Sequence, residues 1–190
     1  MTDVLLFHHA QGLTPGVHSF AERLRDAGHV VHTPDLYDGA TFPSVDAGVA
    51  HAKAIGFDVI LERGRRAAGE LIGPLVFAGF SLGVLPAQQL AQTTPGARGA
   101  LLLHGCVPVT EFSPAWPAGV PVQIHAMADD PWFAEDVDVA RDLVASVEGA
   151  ELFLYPGSGH LFADDSVADY DPAATALLIA RVLSFLGGVA

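Results

Sequence analysis

Cysteine and lysine are almost missing from this chain, which has one of each, Cys106 and Lys53, in 190 residues. A single cysteine excludes an internal disulfide framework and fits a reducing, cytoplasmic setting. The scarcity of lysine belongs to a wider deficit of positive charge: nine Lys and Arg stand against 22 Asp and Glu, a formal net charge of −13. No nucleic-acid partner is expected, because phosphate binding needs clustered Lys and Arg. The one basic cluster, Arg63, Arg65 and Arg66, is interleaved with Glu62 and Glu70 and reads as a solvated helix face. No apolar run reaches the roughly 18–20 residues of a membrane span. Met1-Thr2-Asp3 leads directly into strand-like residues without a basic stretch, so neither a secretory signal nor a membrane partner is expected. Internal repeats, low-complexity tracts, linkers and insertions large enough for a lid domain are absent too.

What is present is apolar. Hydrophobic residues make up 51% of the chain, a content that suits parallel strands covered on both faces. The length is that of one domain, 1–190. Strand-like runs occur at Val4–His8, His29–Thr33, the segment from Pro74 into Gly79, Gly99–His104, Val120–Ala126 and Glu151–Tyr155. Helical spacing appears over Val17–Ala27, Phe57–Ile72, the segment after Gly83, Asp136–Val147 and Pro172–Leu186. Pro43 and Gly48 break the pattern between Ala40 and Gly56, where a short helix from Ser44 is expected. Strands alternating with helices predict a minimal α/β fold: about six mostly parallel strands flanked by helices, with no lid domain.

In such a sheet the ligand site lies at the carboxyl ends of the strands. The residues just past those ends are His8, His9 and Gln11; Asp35; Ser81; His104 and Cys106; Asp129 and Asp130; and His160. Ser81 sits in Gly79-Phe80-Ser81-Leu82-Gly83, a G-x-S-x-G pentapeptide between a strand and a helix, where a strained turn raises the hydroxyl above the sheet. A serine is a poor nucleophile until an imidazole takes its proton, and the imidazole needs a carboxylate to hold its tautomer. His160 follows the last strand on a glycine-rich loop and supplies the base. Asp130 supplies the acid: it precedes Pro131, which fixes the turn, and leaves the adjacent Asp129 facing solvent. Two backbone N–H groups should bind the oxyanion, one from Leu82 and one from the loop after the first strand, at Gln11 or, second, Gly12.

The other polar and aromatic residues read more plainly. His8 and His9 could line the cleft, but a metal site needs further converging ligands, so no metal or cofactor is expected. His104 and Cys106 should pack near the triad, and His125 reads as a hydrogen-bonded core histidine. Trp116, Trp132 and Phe162 could wall an acyl pocket or serve the core.

With the Gly-rich loop after the first strand, Pro34-Asp35-Leu36-Tyr37, the Ser81 pentapeptide, the Asp130 turn, Tyr155-Pro156 and Gly159-His160-Leu161-Phe162, the chain resembles the dienelactone hydrolase family of small α/β-hydrolases. The resemblance implies an α/β-hydrolase sheet with Ser81, Asp130 and His160 as triad. It departs from the family enzyme in two places. That enzyme has a cysteine at the position of Ser81, primed by a glutamate in the first loop, where this chain offers Gln11 and no carboxylate. It also has an arginine shortly after the histidine to hold the lactone's carboxylate, where this chain has Ala163-Asp164-Asp165, acids that would repel one. The expected activity is that of a serine esterase on a small ester or lactone, not the namesake dienelactone. The same triad would serve a thioesterase or acyltransferase. A non-catalytic, small-molecule-binding relative would keep the fold and hold the three side chains apart. Nothing in the sequence specifies an oligomeric state.

Overall fold

The apolar runs fold as six short strands: β1 (Asp3–Phe7), β2 (Val30–His32), β3 (Leu75–Phe80), β4 (Gly99–Leu103), β5 (Val122–Met127) and β6 (Ala150–Tyr155). In the computed structural model, which describes residues 1–189, they form one sheet in the order β2-β1-β3-β4-β5-β6. Every neighbouring pair is parallel. Six longer helices pack on it: α1 (Pro15–Asp26), α2 (Val45–Ile55), α3 (Phe57–Gly69), α4 (Val84–Thr93), α5 (Val137–Ser146) and α6 (Pro172–Gly188).

Both faces of the sheet are covered, and the period of two along each strand shows how. Leu5, Phe7, Leu75, Phe77 and Leu102 belong to the core beneath α2, α3, α4 and α5. Their neighbours Val4, Leu6, Val76, Ala78 and Leu101 belong to a second core beneath α1 and α6. Each fully buried Leu, Val or Phe side chain contributes roughly 1.5–3 kcal/mol. The central strands are therefore fixed on both sides, and their carboxyl ends are rigid places from which to hang loops. The helix starts are set by side chains: Thr14 accepts from the Val17 N–H at 3.3 Å, and Asp171 from those of Ala173 and Ala174 at 2.9 Å.

Two elements differ from the sequence reading. The helix expected to run to Ile72 ends at Gly69; Leu71 and Ile72 continue the apolar period, but Ile72 finds nothing to cover and is 97% exposed. The helix expected from Ser44 is present as α2, capped by Ser44, but it is longer than expected and runs straight through Gly48. Gly48 is inside it because of packing: a Cβ there would lie 1.8 Å from the Ala10 carbonyl oxygen. Glycine lets α2 press on the loop after β1. No described helix is long and apolar enough to cross a membrane.

The strand order reverses at β1, with β2 on one side and β3 to β6 on the other. The crevice at this reversal lies between the ends of β1 and β3, where Phe7 pairs with Gly79.

Candidate active site

β3 ends at Phe80, and Ser81 follows with φ 47°, a left-handed conformation that costs a non-glycine residue on the order of 1–3 kcal/mol. The flanking glycines make the turn possible. A Cβ on Gly79 would meet the Gly83 carbonyl oxygen at 2.0 Å, and one on Gly83 would meet the carbonyl oxygens of Phe7 and His8 at 2.6 and 2.7 Å. The turn is thus folded on itself and pressed against the end of β1. A short 3-10 turn, Ser81–Gly83, runs into α4, so the Leu82 N–H stands at the start of a helix directly behind the hydroxyl.

Residue His160, on the loop after β6, brings Nε2 to 2.8 Å from Ser81 Oγ. Its Nδ1 is 2.7 Å from Asp130 Oδ2. The carboxylate accepts a hydrogen bond from Nδ1–H, which leaves Nε2 to accept from the serine hydroxyl. Asp130 is 2% exposed, and its Oδ1 accepts from the Trp132 N–H at 2.9 Å, a turn made around Pro131. Asp129 points to solvent, its N–H bonded to the Gly157 carbonyl. The three side chains expected from the order of the motifs are therefore brought together, and the choice between the adjacent aspartates follows from which one is turned inward.

The loop after β1 does not match the sequence reading. Gln11 was expected to offer its N–H to an oxyanion, but that N–H donates to His9 Nδ1 at 3.2 Å. The Gly12 N–H is also engaged, with the His9 carbonyl at 3.0 Å. The Ala10 N–H, one residue earlier, has no hydrogen-bond acceptor among the described residues. Nor do His8 and His9 line the cleft; both are fully buried. His8 Nδ1 donates to the His9 carbonyl at 2.7 Å and Nε2 accepts from the Leu36 N–H at 3.0 Å. Burial pushes the His8 pKa down to about 4, so the ring is neutral. His9 Nε2 lies 2.7 Å from Asp164 Oδ2. Sequence gave one available sign of Ala10: it is the small residue between the histidines and the Gln-Gly turn.

Ser81 and His160 open onto a cleft of about 330 Å3 lined by Val45, Leu82, Leu85, Val107 and Trp132 among others. His104 and Cys106 line it as well, as expected. His104 is buried, with φ 68°, its ring stacked on Phe80 and 6.1 Å from that of His160. Neither of its ring nitrogens has a partner among the described residues, and burial holds its pKa well below the usual histidine range. The Cys106 thiol is pushed up by burial and by the neighbouring Asp136, so it is protonated and no rival to the serine. Phe162 is buried in the core beneath α1 and α6. Trp116 lies apart from the cleft, its indole N–H donating to the Val120 carbonyl. Only Trp132 of the three aromatics forms a wall. His125 is the core histidine expected, bonded to the Tyr155 hydroxyl and to Gln123.

The carboxylates facing the cleft were not anticipated. Glu135 and Asp136 line it, and no Lys or Arg does. Burial raises the Asp136 pKa against the lowering effect of the Cys106 N–H, which reaches Asp136 Oδ2 at 3.3 Å. Asp164, expected to repel a substrate carboxylate, is instead 1% exposed and consumed by internal hydrogen bonds. Among the described residues no group of His, Cys, Asp and Glu could hold a metal ion.

Solved structures share the fold. A dienelactone hydrolase-like promiscuous phosphotriesterase from metagenomic libraries is 21% identical, with a TM-score of 0.79 over 100% of this chain and 87% of its own. The dienelactone hydrolase of Anabaena variabilis is 16% identical, with a TM-score of 0.72 over 98% and 86%. TT1662 from Thermus thermophilus is 20% identical, with a TM-score of 0.69 over 99% and 88%. No curated protein matches the sequence. The family model for dienelactone hydrolases, by contrast, matches residues 1–190 from end to end, and so this hydrolase belongs to the dienelactone hydrolase family.

Proposed function

We propose that the protein is a serine hydrolase that cleaves small esters or lactones through an acyl-enzyme on Ser81. The observation that carries this reading is the unbroken relay from Ser81 Oγ to His160 Nε2, 2.8 Å, and from His160 Nδ1 to Asp130 Oδ2, 2.7 Å, at the mouth of the cleft. Ser81 Oγ attacks the carbonyl carbon while its proton passes to His160 Nε2, and Asp130 stabilises the imidazolium. The carbonyl oxygen becomes an oxyanion that accepts from the N–H of Leu82. Since the Gln11 N–H is committed to His9, the second donor is that of Ala10. His160 then gives its proton to the leaving oxygen. A water molecule, deprotonated by the same nitrogen, attacks the acyl-enzyme and frees Ser81.

The cleft constrains the acyl group. Its volume of about 330 Å3 and its apolar wall suit a short, uncharged chain. Glu135 and Asp136 disfavour a substrate carboxylate, and no arginine or lysine in the lining is available to hold one. A dienelactone, which carries that carboxylate, is a poor fit.

The test is hydrolysis of p-nitrophenyl acetate and labelling by a fluorophosphonate, with Ser81→Ala beside the wild type. Turnover and labelling in the wild type and neither in the variant are expected; equal turnover and labelling in both would overturn the proposal. Because one structural relative is described as a promiscuous phosphotriesterase, an aryl phosphotriester belongs in the same panel.

A further inference from the structure

A second histidine–aspartate pair lies behind the anion site. His9 is fully buried, Asp164 is 1% exposed, and they meet at 2.7 Å. Asp164 is surrounded by donors. Oδ2 accepts from His9 Nε2 and from the Thr14 hydroxyl at 2.5 Å; Oδ1 accepts from the Ser166 N–H at 2.8 Å and its hydroxyl at 2.6 Å. Ser166 Oγ in turn accepts from the Gly16 N–H at 3.1 Å. Gly16 has no Cβ because Asp164 takes that space: one built there would lie 1.7 Å from Oδ1. His9, Thr14 and Gly16 belong to the loop and first turn after β1, whereas Asp164 and Ser166 belong to the loop that carries His160. One carboxylate therefore ties the segment bearing the Ala10 N–H to the segment bearing the general base.

We propose that the His9–Asp164 pair is a positioning device for the oxyanion site, holding the Ala10–Gln11 backbone in register with His160. This rests on the serine-hydrolase reading of the same site. The bonds require one tautomer of His9. Nε2 carries the proton and donates to Asp164, so Nδ1 is free to accept from the Gln11 N–H. That bond turns the Gln11 N–H inward and leaves the Ala10 N–H without an internal partner. The other side of the loop is clamped as well: Phe42 N–H donates to the Gln11 carbonyl at 2.9 Å, Gln11 Nε2 donates to the Phe42 carbonyl at 3.1 Å, and Gly48 of α2 abuts the Ala10 carbonyl. The side that carries His9, Thr14 and Gly16 connects the loop to the catalytic histidine's segment.

Asparagine at 164 cannot reproduce the arrangement. With its oxygen toward His9 and Thr14, its NH2 faces the Ser166 N–H. With the amide reversed, the NH2 faces His9, which must move its proton to Nδ1 and so confront the Gln11 N–H with a second donor. Either way a backbone N–H of one of the two loops loses its acceptor and shifts.

The experiment compares wild type, Asp164→Asn, His9→Leu and His9→Asn. It uses p-nitrophenyl acetate, a trifluoromethyl ketone and the matching methyl ketone. The fluorinated ketone adds Ser81 Oγ at its carbonyl carbon, passing the proton to His160 and leaving an oxyanion where the tetrahedral intermediate would place it; the methyl ketone binds without forming one. Asp164→Asn should lower kcat about 10- to 100-fold with KM changed less than about two-fold, a smaller loss than deleting a donor outright. The fluorinated ketone should weaken by the same factor, and the methyl ketone should not. His9→Leu should behave alike, and His9→Asn, whose side-chain oxygen can take the Gln11 N–H, should recover part of the loss. Unchanged kcat in folded Asp164→Asn and His9→Leu proteins, or reduced kcat with full affinity for the fluorinated ketone, would overturn the proposal. Should Asp164→Asn fail to fold, the His9 variants alone decide it by whether asparagine rescues relative to leucine. A wild-type protein that neither turns over the ester nor binds the fluorinated ketone would refute the hydrolase reading instead.

Discussion

Two histidine–aspartate pairs stand at the carboxyl end of the sheet, each joined at 2.7 Å, and they differ in what meets the remaining ring nitrogen. For His160 that nitrogen meets the Ser81 hydroxyl at the mouth of a cleft. For His9 it meets a backbone N–H inside the protein. The carboxylates differ as well. Asp130 accepts one backbone N–H beside its histidine, while Asp164 accepts three further donors beside its own. Burial alone would raise the Asp164 pKa, but the hydrogen bonds from His9, Ser166 and Thr14 outweigh it and hold the carboxyl down to about 2. The same two residue types thus reach a serine hydroxyl at a cleft in one place and an internal backbone N–H in the other. What separates them is the third group and its access to the cleft, not the pair.

The comparison can be broken most severely at Asp130. Asp130→Asn keeps the shape but imposes the wrong tautomer on His160, and kcat for an aryl ester should fall by about 10⁴ while thermal stability changes little. Asp164→Asn should show the reverse balance. Disrupting its buried network costs about 3 kcal/mol, a fall of roughly 10 °C in Tm for a chain of this size, with a much smaller loss of kcat. Calorimetry and kinetics on the two variants side by side test this; equal effects on both readouts would erase the distinction.

Gly48→Ala probes the opposite wall of the anion loop. Its methyl group would lie 1.8 Å from the Ala10 carbonyl oxygen, so α2 or the loop must shift, at about 1–3 kcal/mol. Urea midpoints should fall accordingly, and kcat should drop more than KM rises. An unchanged kcat in the folded variant would show that the loop tolerates displacement.

Stability against pH probes the buried titratable groups, Asp164 among them. Asp164 binds protons less readily folded than unfolded, so its contribution is complete above its ordinary pKa of 3.8 and is lost as pH falls toward about 2. That difference amounts to about 2 kcal/mol. Buried His8 and His125, lowered by burial to about 4 and about 3, act earlier: the unfolded chain protonates them below 6.5, so stability declines from there downward. Urea unfolding followed from pH 8 to pH 3 should show loss beginning near pH 6.5, and His125→Gln should flatten the slope between 6.5 and 4. A flat profile to pH 4 would contradict the neutral burial of these rings.

Much of the frame was readable in advance because it rests on local patterns. Apolar runs of strand length, the Gly79 and Gly83 flanks of Ser81 and the order of Ser, Asp and His each leave a mark within a few residues. Contacts between segments distant in the chain leave none. Gly48 has the signature of a helix breaker, and only its seat against Ala10 explains it. Asp164 reads as an acid that would repel a substrate carboxylate, yet it pairs with a histidine 155 positions away. The place of Gln11 after β1 predicts an anion donor, but whether its N–H is free depends on where the His9 ring turns.

The sequence alone determined the alternation of strands and helices, the tight turn at Ser81 and the chain order of Ser81, Asp130 and His160, because hydrophobic period and glycine placement act over short range. The tertiary structure alone decided which aspartate faces His160, which backbone N–H groups stay unpaired, and which of two like pairs opens onto the cleft. Those outcomes turn on the direction of single side chains and N–H bonds, fixed by packing between loops distant in the chain, and no local preference encodes them.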